Sequence, residues 1–317
     1  MAGIRGSQAY AVLAKQTVKG TPITVFTDKS YLSGGNLGPT RETDRLQETD
    51  NARDAGDSFV QQTAAGGAPE FYLRDSVAHH LLQAGFGSIS TSGTTNYTHT
   101  ITLAAALDYW TFGKMQGNLL FEQYEDCMVN ELTVSGDAGN PLTIGLDVAG
   151  RKSVRVAAEW ASPPTVASDA VYNFNDATVT LGGSGTALIS SFNLTVSNNV
   201  SRQQTDDSVP YDVVPGLREV TLEFDMIFET LAEYNTFHYG SAVGTTQVAT
   251  NQTTTANFAF AKGANNSVAF DFPKLTYDEF PVEPDVSGDP ITVAVRAVAQ
   301  RHASGFVSAV VKNQRAT

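Results

Sequence analysis

Apolar and polar residues alternate most cleanly near Val220. Val220, Leu222, Phe224, Met226 and Phe228 are apolar, while Thr221, Glu223 and Asp225 between them are polar. A period of two over that length predicts a strand with one buried and one wet face, and only Ile227 breaks it. The same period sets Phe192, Leu194 and Val196 against Asn193, Thr195 and Ser197, and it returns at Ile291, Val293, Val295 and Ala297. Weaker strand patterns fill YTHTITL, DYWTFGKM, NLLFEQ, MVNELTV and LTIGLDVA, and ITVF after Pro22 reads as an early strand. Between MVNELTV and LTIGLDVA the turn formers from Ser135 to Pro141 predict a hairpin loop. Gly182-Gly183-Ser184-Gly185 predicts a hairpin tip.

Two segments carry a helical period. In 75–84, Val77, Ala78, Leu81 and Leu82 form an apolar stripe, Asp75 or Ser76 can cap the start, and Gly85 reads as a left-handed stop. In 229–239, Leu231, Tyr234 and His238 share one face with Phe237 beside them, and Gly240 ends the run. The pattern is that of a mainly β chain with about two short helices and no repeat of fixed period. Residues 33–69 stand apart, being poor in large apolar residues and rich in charge. Such a segment is a functional loop, a disordered one, or extended strands that project from the body and become ordered by a neighbouring subunit.

Composition narrows the function. The chain has 317 residues, 41% of them apolar, enough for one large β domain or two smaller ones. Its formal net charge is -13, and its basic residues are scattered singly apart from Arg151-Lys152. Gripping nucleic acid through released counterions needs clustered Lys and Arg, so a DNA-gripping role is not expected. Cys127 is the only cysteine, which excludes an intrachain disulfide and thiol-rich metal sites, and it reads as a half-buried core residue. No apolar run has the length of a signal peptide or a membrane span, so the expected place of synthesis is a cytoplasm.

Catalytic and ligand motifs are weak throughout. His79-His80 are adjacent, whereas a helical metal pair needs i, i+4 spacing, and they read as structural or surface histidines. Asp206-Asp207 and Asp285–Asp289 lack EF-hand spacing and read as solvated loop charge. The glycine run at 182–185 lies between strands, so it does not have the context of a phosphate loop. Sequons at Asn96, Asn193, Asn199 and Asn251 mean little without a secretory signal. Glu219, Glu223 and Asp225 could form a carboxylate pair for acid–base work, but a row of carboxylates along one strand reads as a solvated face or a channel lining. No catalytic residue, cofactor or metal is expected.

Four segments carry a family likeness: AVLAKQTVKGTPIT, FNDATVTLGGSGTALISSFNLTVSNNV, PGLREVTLEFDMIFETLAEYNTFHYG and FPKLTYDEFPVEPDVSGDPITVAVRAVA. Together they resemble the major tail tube proteins of long, non-contractile-tailed bacteriophages. The resemblance implies a single domain over 1–317, an antiparallel β-sandwich or partial barrel flanked by one or two short helices. In that family six subunits join their inner sheets into a ring-shaped β-barrel, and rings stack through arms and a long loop. Here residues 1–16 would be the arm, 33–69 the stacking loop and 268–317 the C-terminal strands. Glu219, Glu223, Asp225, Asn193 and Thr195 would line the lumen. Arg41, Glu42, Asp44, Arg45, Arg53 and Asp54 would make contacts between rings. The implied partners are further copies of the chain, a tape measure protein, tail-tip and tail-terminator proteins, and genomic DNA that passes without specific binding. The implied location is the virion tail.

Two other functions fit the residues less well. A tail-tip, decoration or receptor-binding module would present Tyr109, Trp110 and Trp160 on exposed loops. A carbohydrate-active β-sandwich would need its paired carboxylates in a cleft.

Overall fold

The structure is a computed structural model that describes residues 9–46, 56–117, 119–157, 159–160, 165–166, 171–186, 188–282 and 290–316. Strands dominate it, as the period of two predicts, and the described helices are α1 (Asp75–Phe86), α2 (Ala232–Tyr239) and a single 3-10 turn, Phe174–Asp176. The strand ladders branch but never return to their start, so among the described residues the sheet stays open and folds over itself as a sandwich.

One layer runs in the order Pro69–Tyr72, Thr143–Gly150, residues 128–137, Ile189–Ser197, Glu219–Ile227 and Thr292–Ala299. The second runs Ala177–Leu181, Thr253–Gly263, Asn266–Glu279, Ser308–Asn313, Tyr97–Leu103 and Gly87–Ser92. Alternation turns Phe192 and Phe224 inward from the first layer. The Phe192 ring lies 5.3 Å from Phe258 and 5.2 Å from Phe260 of the second, so apolar faces of both layers make one core.

Two strands pass from one sheet to another. Asn266–Glu279 pairs with Ser308–Asn313 over residues 267–271 and with Thr292–Ala299 over 275–279, and the ladder to Thr253–Gly263 skips a bulge at Pro273 and Lys274. A proline lacks an N–H and is tolerated at such a bulge. Leu120–Asp137 changes sheets at Asp126, which takes the left-handed φ of 51°. Its first half joins Trp110–Gln116, Ala9–Lys15 and Lys152–Val156 in a smaller sheet over Tyr10, Val12, Phe26, Met115, Phe121 and Trp160.

Helix α1 is buried almost all round, which is why a short helix persists there. Its expected side-chain cap is absent: the position before it is Arg74, whose side chain does not cap the helix. Gly85 does not stop it. A Cβ on Gly85 would fall 2.5 Å from Leu132 Cδ1, so that glycine allows the close approach, and Gly87 with φ 97° makes the left-handed end. Helix α2 starts later than expected; Leu231 is exposed, while Tyr234 and Phe237 lean on Phe280 and Tyr277. ITVF is not a strand, although Phe26 packs on Trp160 at 5.1 Å. The tip Gly182-Gly183 has φ of 57° and 78°, the positive pair that a tight two-residue hairpin needs.

Candidate functional site

The first layer turns its outer face to solvent, and the register brings the expected lumen residues together there. Asn193 lies opposite Glu223, Thr195 opposite Thr221, Ser197 opposite Glu219, and Ser191 opposite Asp225. The rows continue across neighbouring strands, with Ser135 and Thr143 beside Asn193, Thr133 beside Thr195, and Arg296 beyond Glu223. Each of these positions follows from a buried neighbour one residue away, so the polar face is set by the same alternation that builds the core.

The face is acidic. Glu70, Glu131, Asp137, Asp147, Glu219, Glu223 and Asp225 sit on it, with Asp278 at its margin. Within these paired stretches Arg296 is the only cation among the described residues, reaching Asp278 at 3.1 Å and Glu223 at 3.6 Å. Glu131 and Asp147 stand directly opposite each other, an arrangement that opposes pairing. Asn130 donates to Asp147 at 2.6 Å, and Ser191 donates to Asp225 at 2.7 Å, so several carboxylates are held by short polar partners. A depression of about 330 Å³ on this face is lined by Asp137, Asn193, Glu223, Asp225, Glu279 and Arg296.

The segment 33–69 is a second feature. Gly38–Arg45 pairs with Ser58–Gly67 in a long hairpin, and residues 41–46 and 56–59 are all exposed. Its described strands are extended, as in the third of the choices left by the sequence; ordering by a neighbouring subunit belongs to the assembled tube. Arg41, Glu42, Asp44 and Arg45 lie on its outer part, while Arg53 and Asp54 lie outside the described residues. Leu46 and Phe59 are about half exposed near its end. Of the expected arm, Ala9–Lys15 is a strand built into the small sheet, with Tyr10, Ala11 and Val12 buried, and residues 1–8 lie outside the described residues.

The remaining chemical candidates are built into the body. Trp110 and Trp160 are buried, and Tyr109 donates to Asp212 at 2.8 Å, so these aromatics do not form an exposed binding patch. Cys127 is fully buried and burial pushes its thiol pKa up. The histidines cluster: His79 stacks on His99 at 4.3 Å and lies tilted against His80 at 4.1 Å. Burial lowers the His79 pKa to about 2, with neighbouring His80, His99 and Arg315 adding to the effect. Among the described residues no His, Cys, Asp and Glu group could hold a metal ion. Asp126, which sequence gave no reason to single out, is buried at the strand corner. It accepts from Gly20 N at 2.6 Å, Gln16 Nε2 at 3.2 Å and Arg151 Nε at 2.8 Å.

The fold and its surfaces define a β-sandwich structural subunit with one acidic face and one projecting hairpin. The family described as phage tail tube protein matches residues 6–297, nearly the whole chain, and the chain belongs to that family. No relative among curated proteins matches it. It is thus a structural protein of a phage tail tube, and no helix among the described residues is long and apolar enough to cross a membrane.

Proposed function

We propose that copies of this chain close into hexameric rings of the long non-contractile tail type, and that the rings stack into a tube whose lumen is the acidic face. The observation that supports this reading most is the acidic face continuous over neighbouring strands, in a chain of the tail tube family. Carboxylates repel a phosphate backbone, so DNA and the tape measure protein can slide past without sticking. Glu219, Glu223, Asp225, Asn193 and Thr195 line the channel in this reading. The segment 33–69, through Arg41, Glu42, Asp44, Arg45, Arg53 and Asp54, contacts the neighbouring ring, and tail-tip and terminator proteins bind the two ends. The subunit is made in the bacterial host and ends in the virion.

Electron microscopy of the purified protein over a concentration series tests assembly: rings or tubes with a central channel are expected. Particles that stay monomeric at high concentration, even with a tail-tip initiator, would sink the reading. The double variant Glu223→Lys, Asp225→Lys should assemble normally and slow genome ejection from assembled virions. Unchanged ejection kinetics would move the lumen to another face.

A further inference from the structure

The projecting hairpin leaves the body where its partner strand ends. Residues 65–67 pair with 148–150, the last rung being Ala65 with Gly150. At Arg151 the partner chain turns away, donating its N–H to Glu125 O at 3.1 Å and entering the small sheet as Lys152–Val156. Beyond that rung the edge of Ser58–Gly67 that faced the body has lost its backbone partner. The hairpin root is also glycine-rich, with Gly34, Gly35, Gly38, Gly66 and Gly67 close together, so the chain itself resists bending little.

A separate segment fills the vacated edge. Ser201–Gln203 and Asp212–Val214 form a small two-stranded flap. Arg202 of the flap donates from Nη2 to Ala65 O at 2.6 Å and from Nε to Gly150 O at 3.1 Å, so its planar guanidinium spans both sides of the last rung. Two residues further out, Thr63 N donates to Ser208 O at 2.8 Å. The flap is anchored in turn: Asp212 accepts from Tyr109 and pairs with Lys19 at 2.9 Å, and Val213 is buried with Leu107, Met128 and Ala149. A Cβ on Gly66 would fall 2.8 Å from Arg202 Nη2, so the glycine makes room for the guanidinium.

We infer that the 201–214 flap acts as a surrogate strand that fixes the direction of the projecting hairpin in the free subunit, with Arg202 as the positioning residue. An edge that is held before assembly loses less freedom on docking, so the hairpin meets its partner pre-organised. The consequence for assembly rests on the tube reading above; the positioning itself does not.

Hydrogen exchange on the free subunit tests it, using Arg202→Met, which keeps the stem and removes the donors. Amides of residues 58–66 should exchange about tenfold faster than in the parent protein, with Glu219–Ile227 unchanged. The concentration needed for tube formation should rise. Unchanged exchange at 58–66, or equal acceleration in Glu219–Ile227, would overturn the inference. If that variant does not fold, replacing residues 205–209 by two glycines removes the Ser208 acceptor and keeps Arg202. Faster exchange confined to 58–64 then supports the inference, and unchanged exchange refutes it. A parent protein that forms no tubes, while Arg202→Met still loosens the hairpin, would discard the tube reading and keep the positioning role.

Discussion

Acid should unfold this protein through His79. Its Nδ1 accepts from Asn313 Nδ2 at 3.2 Å, and Asn313 also donates to Asp75 O at 3.0 Å. The other ring nitrogen, Nε2, has no hydrogen-bond partner and is buried. A second proton on the ring would point at the Asn313 amide, inside a cluster with His80 and His99 and near Arg315. Asp28 acts on His80 as an opposing charge, Asp75 lies one helical turn before His79, and Tyr97 and Thr91 close the other side of His99. With the folded pKa at about 2 and the ordinary value at 6.5, the unfolded chain binds the proton first. Stability from this residue is whole above pH 6.5 and falls as pH drops below it, continuing toward pH 2. At pH 4.5, two units below the unfolded pKa, the loss is about 3 kcal/mol. His79→Leu removes the titration, and Asn313 keeps its bond to Asp75 O, so the variant should cost about 1 kcal/mol at pH 7. Urea unfolding of both proteins at pH 7 and pH 4.5 isolates the effect, because every carboxylate is common to the pair. The variant should become the more stable protein at pH 4.5. Parallel losses in both would refute the reasoning.

Three further substitutions probe the frame. Phe192→Ala empties the space between the two layers beside Phe258, Phe260 and Phe270, and urea unfolding should show a loss of about 4 kcal/mol. Gly85→Ala drives a methyl group into Leu132, and a cost of about 1–3 kcal/mol with a retained fold by circular dichroism is expected. Asp126→Ala strands Arg151 and the Gly20 N–H together, and thermal unfolding should report a loss of about 3 kcal/mol; a variant as stable as the parent would remove the corner from the list of structural anchors.

The lumen candidates were legible because burial on one face leaves a period of two. Glu219–Ile227 and Ile189–Ser197 have that form, and pairing merely placed them side by side. Leu120–Asp137 was not legible as one strand, since residues 123–129 are all buried and carry no alternation. The hairpin at 38–67 fails for the opposite reason: its outer part buries neither face, so no period marks it. Gly85 and Gly87 give the same local signal. Only Leu132, distant in sequence, decides that the first is a packing glycine and the second the helix end. Arg202 and Asp126 had no local signal at all, because their partners lie on segments far away along the chain.

The acidic face and the hairpin are mechanically one unit. Thr143–Gly150 carries Asp147 outward onto the acidic face, and three residues later its Gly150 holds Ala65 at the hairpin root. The next residue, Arg151, is fixed by Asp126, whose left-handed backbone turns Leu120–Asp137 from the small sheet into the acidic layer. A buried carboxylate with three donors is costly to move, so the corner resists the bending that the glycine-rich root would otherwise allow. In the proposed tube this linkage would set the offset of the carboxylate rows between successive rings, because the hairpin direction and the row direction leave the same strand. A loosened corner would then misalign the lumen as well as weaken the fold. Asp126→Asn keeps the side-chain shape and tolerance for positive φ, but its amide N–H cannot accept from a donor that the carboxylate held. Subunits that still fold, with a lowered unfolding midpoint, and that form tubes with altered helical twist are the expected result; unaltered twist would uncouple the face from the hairpin.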